Sequence, residues 1–127
     1  MRDEKAPLIL VVDDEPAIRL GIVVAIRRHA LQVIEAIDGN DGLQKAREFL
    51  PDVIISDVMM PPPDGFELKR LLNSDPLTRS IPFIFLTARS GREDRLAETK
   101  RRIDSCRDIL VGKVPDPKAR SSKSPLR

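Results

Sequence analysis

Five polar residues stand at the ends of short, largely apolar runs. Asp13 and Asp14 follow Leu8–Val12, Asp57 follows Val53–Ser56, Thr87 follows Ile81–Leu86, and Lys113 lies just beyond Ile109–Val111. Three carboxylates brought to one place repel one another, and without a cation at least one tends to protonate. A hard divalent cation relieves the repulsion, and Mg2+ with a few carboxylates, a carbonyl and waters is the common solution. Such an ion often shares its shell with a phosphoryl oxygen, and an aspartate can be the nucleophile that becomes an aspartyl phosphate. A hydroxyl such as Thr87 donates to a phosphoryl oxygen, and a lysine such as Lys113 pairs with its charge.

Each residue also has a plainer reading. Asp13-Asp14-Glu15 before Pro16 is equally the pattern of a helix start, where acidic groups favour the dipole. Asp57 suits an ordinary loop, Thr87-Ala88 a helix entry, and Lys113 a solvated surface. Their recurrence at strand ends favours a shared site.

The elements that must position them follow from hydrophobic spacing. Leu8–Val12 is a continuous apolar run, as in a strand covered on both faces. Pro16 suits a first helical turn. Ile18, Ile22, Ala25, Ile26 and His29 recur at helical spacing, which predicts a helix over 16–29. Leu31–Ala36 reads as the next strand. Gly39-Asn40-Asp41-Gly42 reads as punctuation before a helix carrying Leu43, Ala46, Phe49 and Leu50, which Pro51-Asp52 ends. Val53–Ser56 is a third strand, Pro61–Gly65 a loop, and Phe66, Leu68, Leu71 and Leu72 mark a short third helix. Ile81–Leu86 and Ile109–Val111 are the fourth and fifth strand candidates. Residues 91–105 carry only a thin helical stripe. The alternation predicts an open parallel five-stranded sheet with helices on both faces and right-handed crossovers. In such α/β sheets the site lies beyond the carboxyl ends of the strands.

Composition narrows the classes. The chain has 127 residues, one cysteine and one histidine, which excludes a disulfide framework and a Cys- or His-built metal centre. It has no Trp or Tyr and four Phe, so a stacking platform for single-stranded nucleic acid is not expected. No apolar run approaches the roughly 20 residues that span a bilayer. The acidic N-terminus argues against a secretory signal, and a cytoplasmic setting is expected. Residues 1–88 carry 10 basic and 14 acidic side chains, and residues 89–127 carry 12 and 6. The basic end is interrupted by acids and offers no folded recognition element, so no direct nucleic-acid binding is expected.

Leu8–Glu15 (LILVVDDE), Asp57–Leu68 (DVMMPPPDGFEL) and Ile81–Arg89 (IPFIFLTAR) together resemble the receiver domain of two-component response regulators. The resemblance is dense over residues 8–98. It implies a flavodoxin-like doubly wound sheet with a receiver domain over 6–114; the following 115–127, poor in apolar residues and containing prolines and serines, reads as a disordered basic tail. It implies Asp57 as phosphoacceptor, with Mg2+ held by Asp13, Asp14, Asp57 and the Met59 backbone carbonyl. It further implies Thr87 as switch hydroxyl, Lys113 as phosphoryl partner, and a histidine kinase or phosphotransfer protein as donor. The protein would then be a phosphoacceptor and not an enzyme.

The C-terminal part departs from the family pattern. Val114 separates Lys113 from Pro115, the fifth strand has no aromatic, and no fifth amphipathic helix follows. A sheet face lacking its last helix exposes apolar surface, which leaves a homodimer open. The segment after residue 115 is too short for an output domain, so a stand-alone regulator or a receiver from a longer protein is expected. A receiver-like binding module that no longer switches is the alternative function. A phosphohydrolase with an Asp nucleophile would need an acid/base carboxylate two residues after it, where this chain has Met59.

Overall fold

A computed structural model describes residues 6–29 and 31–86. Their order is β1 (Leu8–Val12), α1 (Pro16–Arg27), β2 (Gln32–Ala36), α2 (Gly39–Phe49), β3 (Val53–Asp57), α3 (Gly65–Asn73) and β4 (Phe83–Leu86). The strands form one parallel sheet in the order β2-β1-β3-β4. The expected α/β architecture is therefore present. The fifth strand candidate, the thin helix over 91–105 and the tail over 115–127 lie outside the described residues. No helix among the described residues is long and apolar enough to cross a membrane.

Burial explains the strands. Every residue of β1 and of β3 is buried, as a central parallel strand covered on both faces requires. Alternate residues face opposite layers. Ile9, Val11, Val53 and Ile55 pack with Ile18, Ile22 and Ile26 of α1. Leu10, Val12 and Ile54 pack with Ala46 of α2 and with Leu68 and Leu72 of α3. Each buried large aliphatic side chain contributes about 1.5–3 kcal/mol of transfer free energy. Asp52 secures the amino-terminal edge of the two central strands: its Oδ2 accepts from the Leu8 N–H at 2.8 Å, and its N–H donates to the Leu8 carbonyl at 2.8 Å.

Two local expectations need correction. Gly39–Gly42 is not punctuation; it is the first turn of α2. Asp38 caps that helix by accepting from the Asp41 N–H at 2.8 Å, and the Asp41 carboxylate reaches back to the Ile37 N–H at 3.0 Å. The glycines admit close neighbours: a Cβ at Gly39 would lie 2.2 Å from the Pro63 carbonyl oxygen. Leu50 is not part of the helix's apolar face. It is the left-handed cap of α2, at φ 47°, and it is 43% exposed. A leucine in that conformation costs about 1–2 kcal/mol. Leu50→Gly is expected to stabilise the protein by about 1 kcal/mol, read as a higher midpoint in urea unfolding with an unchanged slope.

The helix over 16–29 ends at Arg27, and the strand read from Ile81 begins at Phe83. Pro82 has no N–H to give the ladder. Its carbonyl nevertheless accepts from the Ile54 N–H at 2.9 Å, so pairing with β3 starts there.

Candidate functional site

The sheet itself brings the acidic residues together. Val12 pairs with Ser56 across β1 and β3, so the next residue of each strand, Asp13 and Asp57, emerges at the same carboxyl edge. β1 lies between β2 and β3, so the crossovers on its two sides leave in opposite directions. That is the switch point at which doubly wound sheets carry their sites.

Asp13 is fully buried and Asp57 is 1% exposed, whereas Asp14 reaches solvent. One carboxylate oxygen from each of the three lies within 4.8 Å of the others. The Asp13 Oδ1 accepts from the Glu15 N–H at 2.9 Å, which fixes the carboxylate as the chain leaves β1. The Asp57 Oδ1 accepts from the Met59 N–H at 3.4 Å, a long bond that keeps the following turn beside the acid. The Met59 side chain points outward and is 68% exposed.

This geometry bears on the helix-start reading of Asp13-Asp14-Glu15. The N-cap of α1 is Glu15, and its side chain makes no capping bond. Pro16 at the helix start already removes one donor that would need a cap. Asp13 and Asp14 stand before the cap and belong to the carboxylate cluster.

The loop from β3 into α3 is shaped by two residues of the DG pair. Asp64 caps α3, accepting from the Glu67 N–H at 2.9 Å. Gly65 lets the helix start directly against the strand end, its N–H donating to the Val58 carbonyl at 2.9 Å. A Cβ at Gly65 would lie 2.4 Å from the Asp57 carbonyl oxygen and 2.9 Å from the Val58 Cα. The loop also contains a cis Pro62-Pro63 peptide. An open groove of about 800 Å³ lined by Met60, Pro62, Pro63, Asp64, Phe66, Glu67 and Arg70 runs along this loop. None of the three clustered carboxylates lines it. Arg70 bonds to Glu67 there and holds that exposed carboxyl below the usual range.

Of the residues expected at the site, Asp13, Asp14 and Asp57 come together, and Met59 adjoins them through its N–H bond to Asp57. Thr87 and Lys113 lie outside the described residues. Arg19 escaped the sequence reading. It is one of two basic residues of the mostly apolar α1, the other being Arg27 in the last turn, and it reaches the Asp13 carbonyl from its Nη1 at 2.8 Å. The signal was positional only, because nothing in residue type distinguishes it from a solvated helix arginine.

Oxygen donors from three carboxylates suit a hard divalent cation such as Mg2+ and not a soft metal.

The response regulator receiver domain family matches residues 9–106. Protein PilH of Pseudomonas aeruginosa is 36% identical over 108 residues, covering 85% of this chain and 87% of PilH. The response regulator PleD of Caulobacter vibrioides is 46% identical over 89 residues, covering 69% of this chain but 19% of PleD. The crystal structure of the N-terminal domain of a response regulator receiver protein from Methanoculleus marisnigri superposes with a TM-score of 0.64 at 36% identity. It covers 72% of this chain and 75% of that one. The sheet order, the acidic strand ends and these likenesses agree: the chain belongs to the receiver domains of the two-component response regulators.

Proposed function

We propose that this chain is a phosphorylation switch in which Asp57 receives a phosphoryl group from a histidine kinase or a phosphotransfer protein. The observation that carries this reading is the meeting of Asp13, Asp14 and Asp57 within 4.8 Å at the carboxyl edge of β1 and β3. Asp13, Asp14, Asp57 and the Met59 backbone carbonyl are the groups that would hold Mg2+. When bound, the ion neutralises charge on the three phosphoryl oxygens during transfer.

The chain's own residues perform the rest. An Asp57 carboxylate oxygen attacks phosphorus in line with the leaving group. The new O–P bond forms as the donor's P–N bond breaks, and the imidazole nitrogen keeps the electron pair. Asp13 is held by Glu15, so the site needs little rearrangement to accept the charge. Thr87, the residue after the last of β4, is assigned the hydroxyl that reports the new charge, and Lys113 the cation that pairs with it. The outcome is a shifted population of surface conformations, read by a protein partner. The domain is a phosphoacceptor, not a turnover enzyme.

Intact mass after incubation with acetyl phosphate tests this. With Mg2+ the protein is expected to gain one phosphoryl mass, and with a chelator in excess it gains none. A folded protein that gains nothing in Mg2+ would instead be a receiver-like binding module that does not switch.

A further inference from the structure

We infer that Arg19 is a positioning residue for the metal site, acting through the Asp13 main chain. The inference rests on the Mg2+ reading above and adds a residue to it.

Arg19 lies near the start of α1, and its side chain is 14% exposed. Its guanidinium divides its donors between two elements. Nη1 donates to the Asp13 carbonyl oxygen at 2.8 Å, and Nε donates to Glu35 Oε1 of β2 at 3.0 Å. On the other side of the same residue, the Asp13 N–H donates to the Ala36 carbonyl at 3.1 Å. Asp13 is thus gripped at both its amide and its carbonyl.

The Asp13 carbonyl belongs to the peptide that leads into Asp14. Fixing that peptide plane fixes the direction from which the more open Asp14 carboxylate enters the cluster. A charge-assisted bond from a planar guanidinium is short and directional. Glu35 holds the guanidinium plane and offsets its charge. Lysine cannot grip both partners, because it is a point charge without the fork.

A plain structural strut between α1 and β2 would have the same contacts, so the test must separate positioning from stability. Mg2+ alone is titrated calorimetrically into the full, unphosphorylated chain, and thermal unfolding is followed by circular dichroism without Mg2+. Arg19→Ala is expected to weaken Mg2+ binding about tenfold, as loss of an outer-shell partner commonly does. Arg19→Lys is expected to recover part of that loss by supplying one donor to the carbonyl. Asp52→Ala serves as control: it removes the 2.8 Å bond to the Leu8 N–H at the opposite edge of the same strands. It is expected to lower the melting temperature and leave Mg2+ affinity unchanged. Wild-type affinity in Arg19→Ala would overturn the inference. So would equal weakening in Arg19→Ala and Asp52→Ala, which would mark a general loosening. A wild-type chain that binds no Mg2+ would overturn the metal reading itself, and this inference with it.

Discussion

Asp57→Asn is expected to remain folded and to gain no phosphoryl mass under conditions that label the wild type. The amide keeps the shape and the Oδ1 that accepts from the Met59 N–H, so the turn after β3 is retained. It loses the carboxylate that attacks phosphorus, so the loss is complete and not graded. The same substitution removes one of three negative charges whose oxygens lie within 4.8 Å. Relief of like-charge repulsion should therefore raise the melting temperature of the metal-free protein. Intact mass and circular dichroism melts, run side by side, read both effects. Loss of labelling together with a higher melting temperature separates a missing acceptor from a damaged fold.

Gly65→Ala is expected to have the second largest effect, on both stability and transfer. The added methyl meets the Asp57 carbonyl at 2.4 Å and the Val58 Cα at 2.9 Å. Both are backbone atoms and cannot rotate away, so either the start of α3 or the end of β3 must move. Overpacking of this kind costs about 1–3 kcal/mol. For a domain of this size that lowers the melting temperature by on the order of 10 °C. Displacement of Asp57 by about an ångström would slow phosphoryl transfer by about a hundredfold. Gly42→Ala is the informative contrast. The nearest atoms to its Cβ would be side-chain methyls, of Val12 at 3.0 and 3.2 Å and of Leu68 at 3.3 Å. Val12 and Leu68 are fully buried, so those methyls can give by only a few tenths of an ångström, and the crowding is offset by alanine, which is about 1 kcal/mol better than glycine within a helix. Its stability should stay within about 1 kcal/mol of the wild type, with the labelling rate unchanged.

Much of the site was legible because β1 and β3 are buried on both faces. Continuous apolar runs ending in acid locate a strand end, and the parallel order places two such ends side by side. What the runs alone left open was whether Asp13-Asp14-Glu15 caps a helix or builds a site. Only the register of Val12 with Ser56, and Glu15 standing as the cap without a side-chain bond, decides it.

The first turn of α2 was hidden because two glycines among polar residues resemble a loop. The reciprocal bonds of Asp38 and Asp41, and the room needed next to Pro63 and Val12, outweigh glycine's poor helix propensity. Leu50 was hidden because its apolar type fits the helix stripe, whereas the chain needs a left-handed residue to turn toward β3. Arg19 was hidden because its acceptor is a main-chain carbonyl, which no residue type encodes.

The most direct test is the position of the phosphoryl group. Protein labelled with acetyl phosphate and Mg2+ is treated with borohydride, which reduces an acyl phosphate to an alcohol, and then cut with trypsin. Cleavage places Asp13 and Asp14 in the peptide 6–19 and Asp57 in the peptide 48–69. The predicted result is a reduced residue at Asp57 alone. Reduction at Asp13 or Asp14, or none in folded protein, would contradict the assignment of Asp57 as acceptor.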